Sequence, residues 1–151
     1  MNRLFTLLCL LAAAYGPYFL QAQCSEFDIV MLQAVQRAEA DKKDAQILSY
    51  GFDLFATQNG NRIFNKCWRG NVDGKAIYEQ KIILEPASHS YTFMTLNRDH
   101  FVRLRSSIED RNGGAGQTED PNLYIGRMFR YRFGVQSYDG HEYFKVTIRD
   151  K

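Results

Sequence analysis

The sequence predicts an α+β domain in which two helices cover one face of an antiparallel sheet. Three observations lead to this fold class. Residues 26–47 contain no proline or glycine and carry apolar residues at helical spacing. After Ser49 the apolar residues alternate with a period of two, which is typical of strands. Asn-Gly and Asp-Gly pairs, which favour two-residue hairpin turns, separate these alternating segments.

The first predicted element is an amphipathic helix. Its apolar residues recur three and four positions apart and so share one face: Phe27, Val30, Met31, Ala34 and Ala38. Ser25, with Asp28 three residues later, is predicted to cap its start. Positions 41–44 are all polar, and we expect the helix to lose its regular structure there.

Four strands are predicted to follow as an antiparallel meander, with turns at Asn59-Gly60 and Asp73-Gly74. The first turn predicts these cross-strand pairs: Ala56 with Ile63, Phe55 with Phe64, and Asp53 with Lys66. The second turn predicts four more: Phe64 with Ile83, Ile63 with Leu84, Trp68 with Glu79, and Lys66 with Lys81. Pro86 marks the next turn, and residues 91–96 supply the fourth strand.

A second helix over about 98–110 and a C-terminal β-hairpin complete the predicted fold. Asn97 or Asp99 is expected to cap this helix. The Gly-rich segment 112–121 is predicted to be a surface loop. The turn at Asp139-Gly140 then predicts five pairs: Val135 with Phe144, Phe133 with Val146, Tyr131 with Ile148, Arg132 with Thr147, and Arg130 with Arg149.

The first 22 residues predict export. Asn2 and a basic Arg3 precede an apolar run over 4–14, which Gly16 ends, so residues 1–22 are interpreted as a signal peptide cleaved after Ala22. The run is too short to span a membrane stably. We therefore predict one secreted or periplasmic domain, 23–151, with no transmembrane segment after signal removal. The alternative is a lipoprotein acylated at its first mature cysteine.

The size and charge of the mature chain indicate how many domains it has and which kinds of partner they disfavour. Its length is that of one domain and is sufficient to bury a core. The full chain has 19 Lys and Arg residues and 17 Asp and Glu residues, and one of the basic residues is Arg3 of the signal peptide. The mature net charge is therefore close to neutral, which does not favour nucleic acid or an anionic membrane surface as a partner.

The mature chain has two cysteines, Cys24 and Cys67. Because disulfides persist in the oxidising compartments that exported proteins reach, we predict that these two residues form one. Two alternatives remain open at this point. Both thiols are free, or Cys24 is lipidated and Cys67 is buried.

The three histidines, His89, His100 and His141, are the candidates for acid–base chemistry or metal binding. None has a second histidine, a cysteine or clustered carboxylates at the spacing of metal-ligand motifs. The glycines of 112–116 do not match a phosphate-binding loop, because no Lys-Ser/Thr pair follows them. We therefore predict no metal site, no cofactor and no catalytic residue.

A basic strip on the last hairpin is the candidate binding surface. It comprises Arg127, Arg130, Arg132, Lys145 and Arg149, with Tyr124 and Tyr143 nearby. Arginines that face each other without a paired acid favour an external anion or an acidic surface. The alternative is a solvated sheet face on which long side chains lie over apolar surface.

Trp68 is the only tryptophan, and it lies between Cys67 and Arg69. An indole ring at this position fits either a core anchor or a half-exposed recognition residue. We predict that it is buried in the core, and we retain it among the candidate binding residues.

These observations predict an exported, non-catalytic binding or interaction module. Its partner is expected to be a protein, a glycan or a component of the cell envelope, and an inhibitor of a secreted enzyme is a narrower version of this hypothesis. The alternative is a small secreted hydrolase that combines His89 or His100 with a carboxylate such as Asp99 or Glu79.

Overall fold

A computed structural model describes residues 24–111 and 116–151. These residues form a mixed α+β fold with three α-helices and a seven-stranded antiparallel sheet. The α+β class expected from the sequence is confirmed. The predicted signal peptide, 1–22, lies outside the described residues, as do positions 112–115 of the predicted loop.

Two short helices, α1 (Ile29–Arg37) and α2 (Lys43–Ser49), take the place of the single N-terminal helix that we expected. The backbone of Ala38 is extended, with φ −61° and ψ 143°, and this ends α1. The next residues are mostly polar and exposed, so they offer no apolar stripe that packing would hold in a continuous helix.

The start of α1 and its buried face both differ from the prediction. The carboxylate of Asp28 accepts hydrogen bonds from the amides of Val30 and Met31 at 2.8 and 2.9 Å, so Asp28 is the N-cap and Ser25 is not. The buried positions are Ile29, Leu32, Val35 and Gln36. Burying three large aliphatic side chains removes more apolar area from water than burying the smaller Ala34 and Ala38 would.

The strands and the last helix follow in the order β1 (Asp53–Gln58), β2 (Asn61–Val72), β3 (Lys75–Glu85), β4 (Ser90–Thr95), α3 (Arg98–Arg111), β5 (Leu123–Ile125), β6 (Phe129–Tyr138) and β7 (His141–Asp150). Their order across the sheet is β1-β2-β3-β4-β7-β6-β5. The first four strands are therefore part of a larger sheet, because β7 pairs with β4. The three-residue β5, which is too short to show a period, was not predicted.

Bulges shift the register of the first two hairpins by one residue. Ala56 pairs with Ile63 as expected, but Leu54 rather than Phe55 lies opposite Phe64. The same shift places Asp53 opposite Asn65 rather than Lys66. A second shift, between Trp68 and Gly70, changes the predicted pairs of β2 and β3: Phe64 faces Ile82, Ile63 faces Ile83, Lys66 faces Gln80, and Trp68 faces Tyr78. A bulge adds one unpaired residue to a strand, so every pair beyond it moves by one.

The C-terminal hairpin has the predicted register. All five expected pairs of β6 and β7 are present, from Val135 opposite Phe144 to Arg130 opposite Arg149. The turn residue Asp139 has a φ of 50° and Gly140 a φ of 80°, as a type I′ turn requires. This hairpin has no register shift, which is why turn chemistry alone was sufficient to place its side chains.

The hydrophobic core lies between the helices and one face of the sheet. Helices α1 and α3 both contact β4 and β7. The fully buried members of the core include Phe27, Leu32, Val35, Ile47, Phe64, Ile82, Phe93, Ile108, Val146 and Ile148. Asn97 caps α3 by accepting the amide of His100 at 3.0 Å, as one of the two predicted alternatives.

Cys24 and Cys67 form a disulfide, as predicted, with their Cα atoms 5.8 Å apart. The bond ties the segment before α1 to the bulged part of β2. The Nε2 group of Gln80, on β3, lies 3.1 Å from both Cys24 Sγ and the carbonyl oxygen of Ser25. The start of the domain is therefore fixed to two neighbouring strands of the sheet.

Candidate binding face

The side chains that alternate with the core residues point to the opposite side of the sheet, which we call the second face. The pairing of the strands sets these side chains in rows. One row consists of Glu85, Ser90, Arg149 and Arg130, on β3, β4, β7 and β6. The next row consists of Ile83, Thr92, Thr147 and Arg132 on the same four strands. Arginines and hydroxyl groups thus lie side by side.

These rows border a cavity of about 260 Å³, which we call the arginine pocket. It is lined by Glu85, Ser88, Ser90, Leu123, Arg130, Arg132, Thr147 and Arg149. Three guanidinium groups from two adjacent strands therefore reach one cavity. The predicted basic strip is divided by this arrangement, because Lys145 does not line the pocket and Arg127 lines a different cavity.

The positive charges in the arginine pocket are not all compensated by acidic side chains. Arg130 and Arg149 lie directly opposite each other, and like charges at such positions destabilise a sheet. The positive charge of Arg132 is compensated by Asp120, whose carboxylate lies 3.2 Å from the Arg132 Nη1 atom. Glu85 is the one carboxylate among the described residues that line the cavity. The buried Nε of Arg130 has no hydrogen-bond partner among the described residues, so one donor of this guanidinium is unsatisfied.

The hydroxyl groups of Ser88, Ser90 and Thr147 complete the polar lining of the pocket. The Oγ atoms of Ser88 and Ser90 are 2.7 Å apart, and Thr147 Oγ1 lies 2.9 Å from the Oγ1 atom of Thr92, its neighbour on β4. Each hydroxyl can donate one hydrogen bond and accept others. Guanidinium groups beside hydroxyls are a donor-rich lining, which suits an oxyanion better than a cation.

A second polar feature of this face, the lysine cage, was not predicted. Lys81 is 1 % exposed, and its Nζ donates a hydrogen bond to Asn65 Oδ1 at 3.0 Å. The same Nζ lies between 4.7 and 5.8 Å from the ring centroids of Phe55, Tyr78, Tyr138 and Tyr143. Burial lowers the pKa of Lys81, and the nearby negative charge of Asp139 opposes this shift.

Tyr143 belongs to the lysine cage rather than to an exposed binding surface. Its side chain is buried, and its hydroxyl donates to the carbonyl oxygen of Tyr78 at 2.8 Å. Burial is the main reason why the pKa of Tyr143 rises to about 12. Lys145, the next residue on the same side of β7, is half-buried and donates to Gln136 Oε1 at 3.1 Å. It lies between the cage and the arginine pocket.

Trp68 is 61 % exposed, so the prediction that it is a core residue was wrong. The bulge beside it explains the difference. Cys67 has a φ of 59° and Gly70 a φ of 140°, and the pairing register shifts between Trp68 and Gly70. Trp68 does not line the arginine pocket.

His100 and Glu79, two residues of the predicted hydrolase site, are each engaged with a different partner. His100 is 2 % exposed, and its Nε2 donates to the carbonyl oxygen of Phe27 at 3.1 Å. Burial lowers the pKa of His100, while this hydrogen bond opposes the shift. Glu79 forms an ion pair with Arg69. His89 is exposed and ends a short 3₁₀ turn. Among residues 24–111 and 116–151, no group of acids, cysteines and histidines is suited to hold a metal ion.

We expect the stability of the wild-type protein relative to a Lys81→Met variant to increase between about pH 7 and about pH 10. The folded protein holds the Lys81 proton less tightly than the unfolded chain does. The unfolded state therefore binds more protons below the ordinary lysine pKa, and the free energy of unfolding rises as the pH approaches that value. Urea unfolding of both proteins at the two pH values measures the difference.

Lys42→Met is the control, because it removes an exposed lysine that directly precedes α2. Its stability relative to the wild type should not follow the trend shown by Lys81→Met. A difference between wild type and Lys81→Met that is the same at both pH values would show that burial does not shift the titration of Lys81.

Comparisons with known proteins found no relatives: the chain matches no protein-family model, no curated protein and no solved structure. The longest helix in the part of the chain that the structure describes is α3, and no helix there has the length and apolar character that crossing a membrane requires.

Proposed function

We propose that this chain is an exported, non-catalytic binding module that holds an anionic group of a protein, glycan or envelope partner in the arginine pocket. One observation carries the proposal: Arg130, Arg132 and Arg149 reach one cavity of about 260 Å³ beside serine and threonine hydroxyls. The export of the chain is inferred from its signal-like first 22 residues.

An anion would relieve the main electrostatic imbalance of the pocket. Arg130 and Arg149 face each other across β6 and β7, and the lining residues include three arginines against the single carboxylate of Glu85, so positive charge is in excess. A carboxylate, sulfate or phosphate between the two guanidiniums would replace their repulsion with charge-assisted hydrogen bonds. Such bonds are worth more than those between neutral groups, typically about 1.5–3 kcal/mol each.

The chemistry of the lining favours binding over catalysis. Of the residues that the structure describes, those around the cavity supply cations, hydroxyls and one carboxylate, but no histidine and no thiol. Guanidinium groups hold and orient an anion, and their high pKa prevents them from exchanging protons near neutral pH. The lining therefore supports a role in anion recognition.

We expect an Arg130→Gln/Arg149→Gln variant to lose most of its affinity for an immobilised sulfated polysaccharide, dextran sulfate. The loss of two charge-assisted contacts should weaken binding at least about tenfold. Salt-gradient elution from a dextran sulfate column, followed by titration in solution, measures the change. The double variant should elute at a clearly lower NaCl concentration than the wild type.

An Arg98→Gln/Lys75→Gln variant is the matched control, because it removes two exposed positive charges away from the pocket. Its elution should stay close to that of the wild type. Equal elution of the two double variants would refute the proposal, because net charge rather than the pocket would then determine retention. Circular dichroism of both variants checks that they are folded.

A further inference from the structure

A second cluster of arginines lies on the helix side of the molecule. Arg37 at the end of α1, Arg111 at the end of α3 and Arg127 in the β5–β6 connection line a cavity of about 430 Å³. Three separate elements thus bring one guanidinium each to the same space. Arg127, which the sequence analysis grouped with the basic strip, lies here and not on the second face.

Arg37 is held in position by apolar partners. Its Nη2 lies 3.7 Å from Met128 Sδ, and its guanidinium carbon lies 5.7 Å from the centroid of the Phe129 ring. Stacking on an aromatic ring restricts the side chain without using its strongest hydrogen-bonding capacity. The guanidinium is therefore oriented before any ligand arrives, which lowers the entropic cost of binding.

A tyrosine hydroxyl also lies in this cavity. The hydroxyl oxygen of Tyr131 accepts a hydrogen bond from Gln33 Nε2 at 2.9 Å, so its own proton is available to donate. Burial raises the pKa of Tyr131, and the charges of Arg37 and Arg111 oppose the shift. Arg37, Arg111 and Tyr131 line the same cavity, so both guanidiniums lie near this phenol.

Within the described part of the chain, the residues that line this cavity include no aspartate and no glutamate. Arg37 and Arg111 alone bring two positive charges to this cavity, and these match a ligand that carries two negative charges better than one that carries a single charge. The planar fork of arginine fits the oxygens of a phosphoryl group bidentately. The rings of Phe129 and Tyr131 form an apolar wall beside it, which suits the organic part of a phosphate ester.

We propose that Arg37, Arg111 and Arg127 form a second anion site, separate from the arginine pocket, that binds a phosphoryl group. Phe129 holds Arg37 in place and contacts the organic part of the ligand, and the Tyr131 hydroxyl donates to a phosphoryl oxygen. This site and the arginine pocket share no lining residue, so either can exist without the other.

The test measures thermal unfolding in inorganic phosphate, in sodium acetate and in sodium chloride at equal ionic strength. Phosphate should raise the Tm of the wild type saturably, and the other two salts should not. The rise should be lost in Arg37→Gln/Arg111→Gln and retained in Arg130→Gln/Arg149→Gln. Titration should give a phosphate affinity at least about tenfold weaker in the helix-side variant.

Arg111→Gln alone covers the case in which the change at Arg37 disturbs its packing on Phe129. Arg111 is exposed at the end of α3, so its replacement should preserve the fold while it weakens phosphate binding. A pH titration of labelled tyrosines adds a direct signature. Bound phosphate should raise the pKa of Tyr131 in the wild type and leave it unchanged in the helix-side variant, because the anion offsets the arginines.

Three results would overturn the second site. The first is an equal rise in Tm with chloride or acetate, which would mean general screening or carboxylate binding. The second is a phosphate effect that persists in Arg37→Gln/Arg111→Gln. The third is a phosphate effect that is lost only in Arg130→Gln/Arg149→Gln, which would assign the ion to the arginine pocket and leave the proposed function standing.

Discussion

Replacing Cys24 and Cys67 together with alanine should lower the free energy of unfolding by about 4 kcal/mol, the value that the chain-entropy model gives for a loop of this length. The two cysteines are separated by 43 positions and join the start of the domain to β2. Without the bond, the unfolded chain gains the freedom that the loop had removed. Guanidinium unfolding of the oxidised wild type and of the double variant measures the loss.

Reduction of the wild-type protein provides the matched control for this variant. The reduced wild type should be destabilised by a similar amount, and the double variant should not respond to the reductant. Equal stability of the oxidised wild type and the double variant would show that other contacts, such as those of Gln80 with the first residues, are enough to hold the segment.

A Phe27→Ala variant should lose about 3–5 kcal/mol, as is typical for removal of a buried aromatic ring. The ring is completely buried and lies 5.8, 5.4 and 5.0 Å from the rings of Tyr50, Phe52 and Phe93. It therefore joins the N-terminal segment, the start of the sheet and β4. Urea unfolding measures the loss. The dependence of the unfolding free energy on urea concentration is fitted separately for each protein.

Val102→Ala is the control for this prediction, because Val102 is an exposed apolar residue of α3. Its replacement should change the stability by less than about 0.5 kcal/mol. If Phe27→Ala were as mild as Val102→Ala, the aromatic cluster would be able to collapse into the vacated space, and Phe27 would not be an anchor of the core.

The parts of the fold that short-range turn chemistry determines could be predicted from the sequence. The Asp139-Gly140 turn was enough to pair Arg130 with Arg149 correctly. The same logic failed for Phe64, because bulges shift both of its strand pairings. Gly70, with a φ of 140°, is a sequence signal for the second bulge, since a glycine inside a strand often marks one, whereas the first bulge has no glycine. The division of the first helix at Ala38 was anticipated only as fading helical order, because polar residues weaken a helix without specifying where it ends.

The candidate site could be predicted in part for the same reason. The opposed arginines follow from one hairpin, but their neighbours Glu85 and Ser90 come from strands that meet the hairpin through the β4–β7 pairing. That pairing joins distant segments, and no local pattern encodes it. Lys81 gave no signal either, because lysine is almost never fully buried, and its surrounding rings come from four different places in the chain.

The position of β7 in the sheet also determines when the arginine pocket comes into existence. Strands β1 to β4 can pair as soon as the ribosome has made them, but one edge of β4 stays unpaired until β7 arrives, after β5 and β6. Glu85 and Ser90 belong to the early half of the pocket, and Arg130 and Arg149 to the late half. In a nascent or truncated chain that lacks β7, only part of the pocket lining is therefore assembled. The edge of β4 is also unpaired, which favours aggregation. Anion binding on this face would therefore indicate that β7 has paired with β4 and that the sheet is complete.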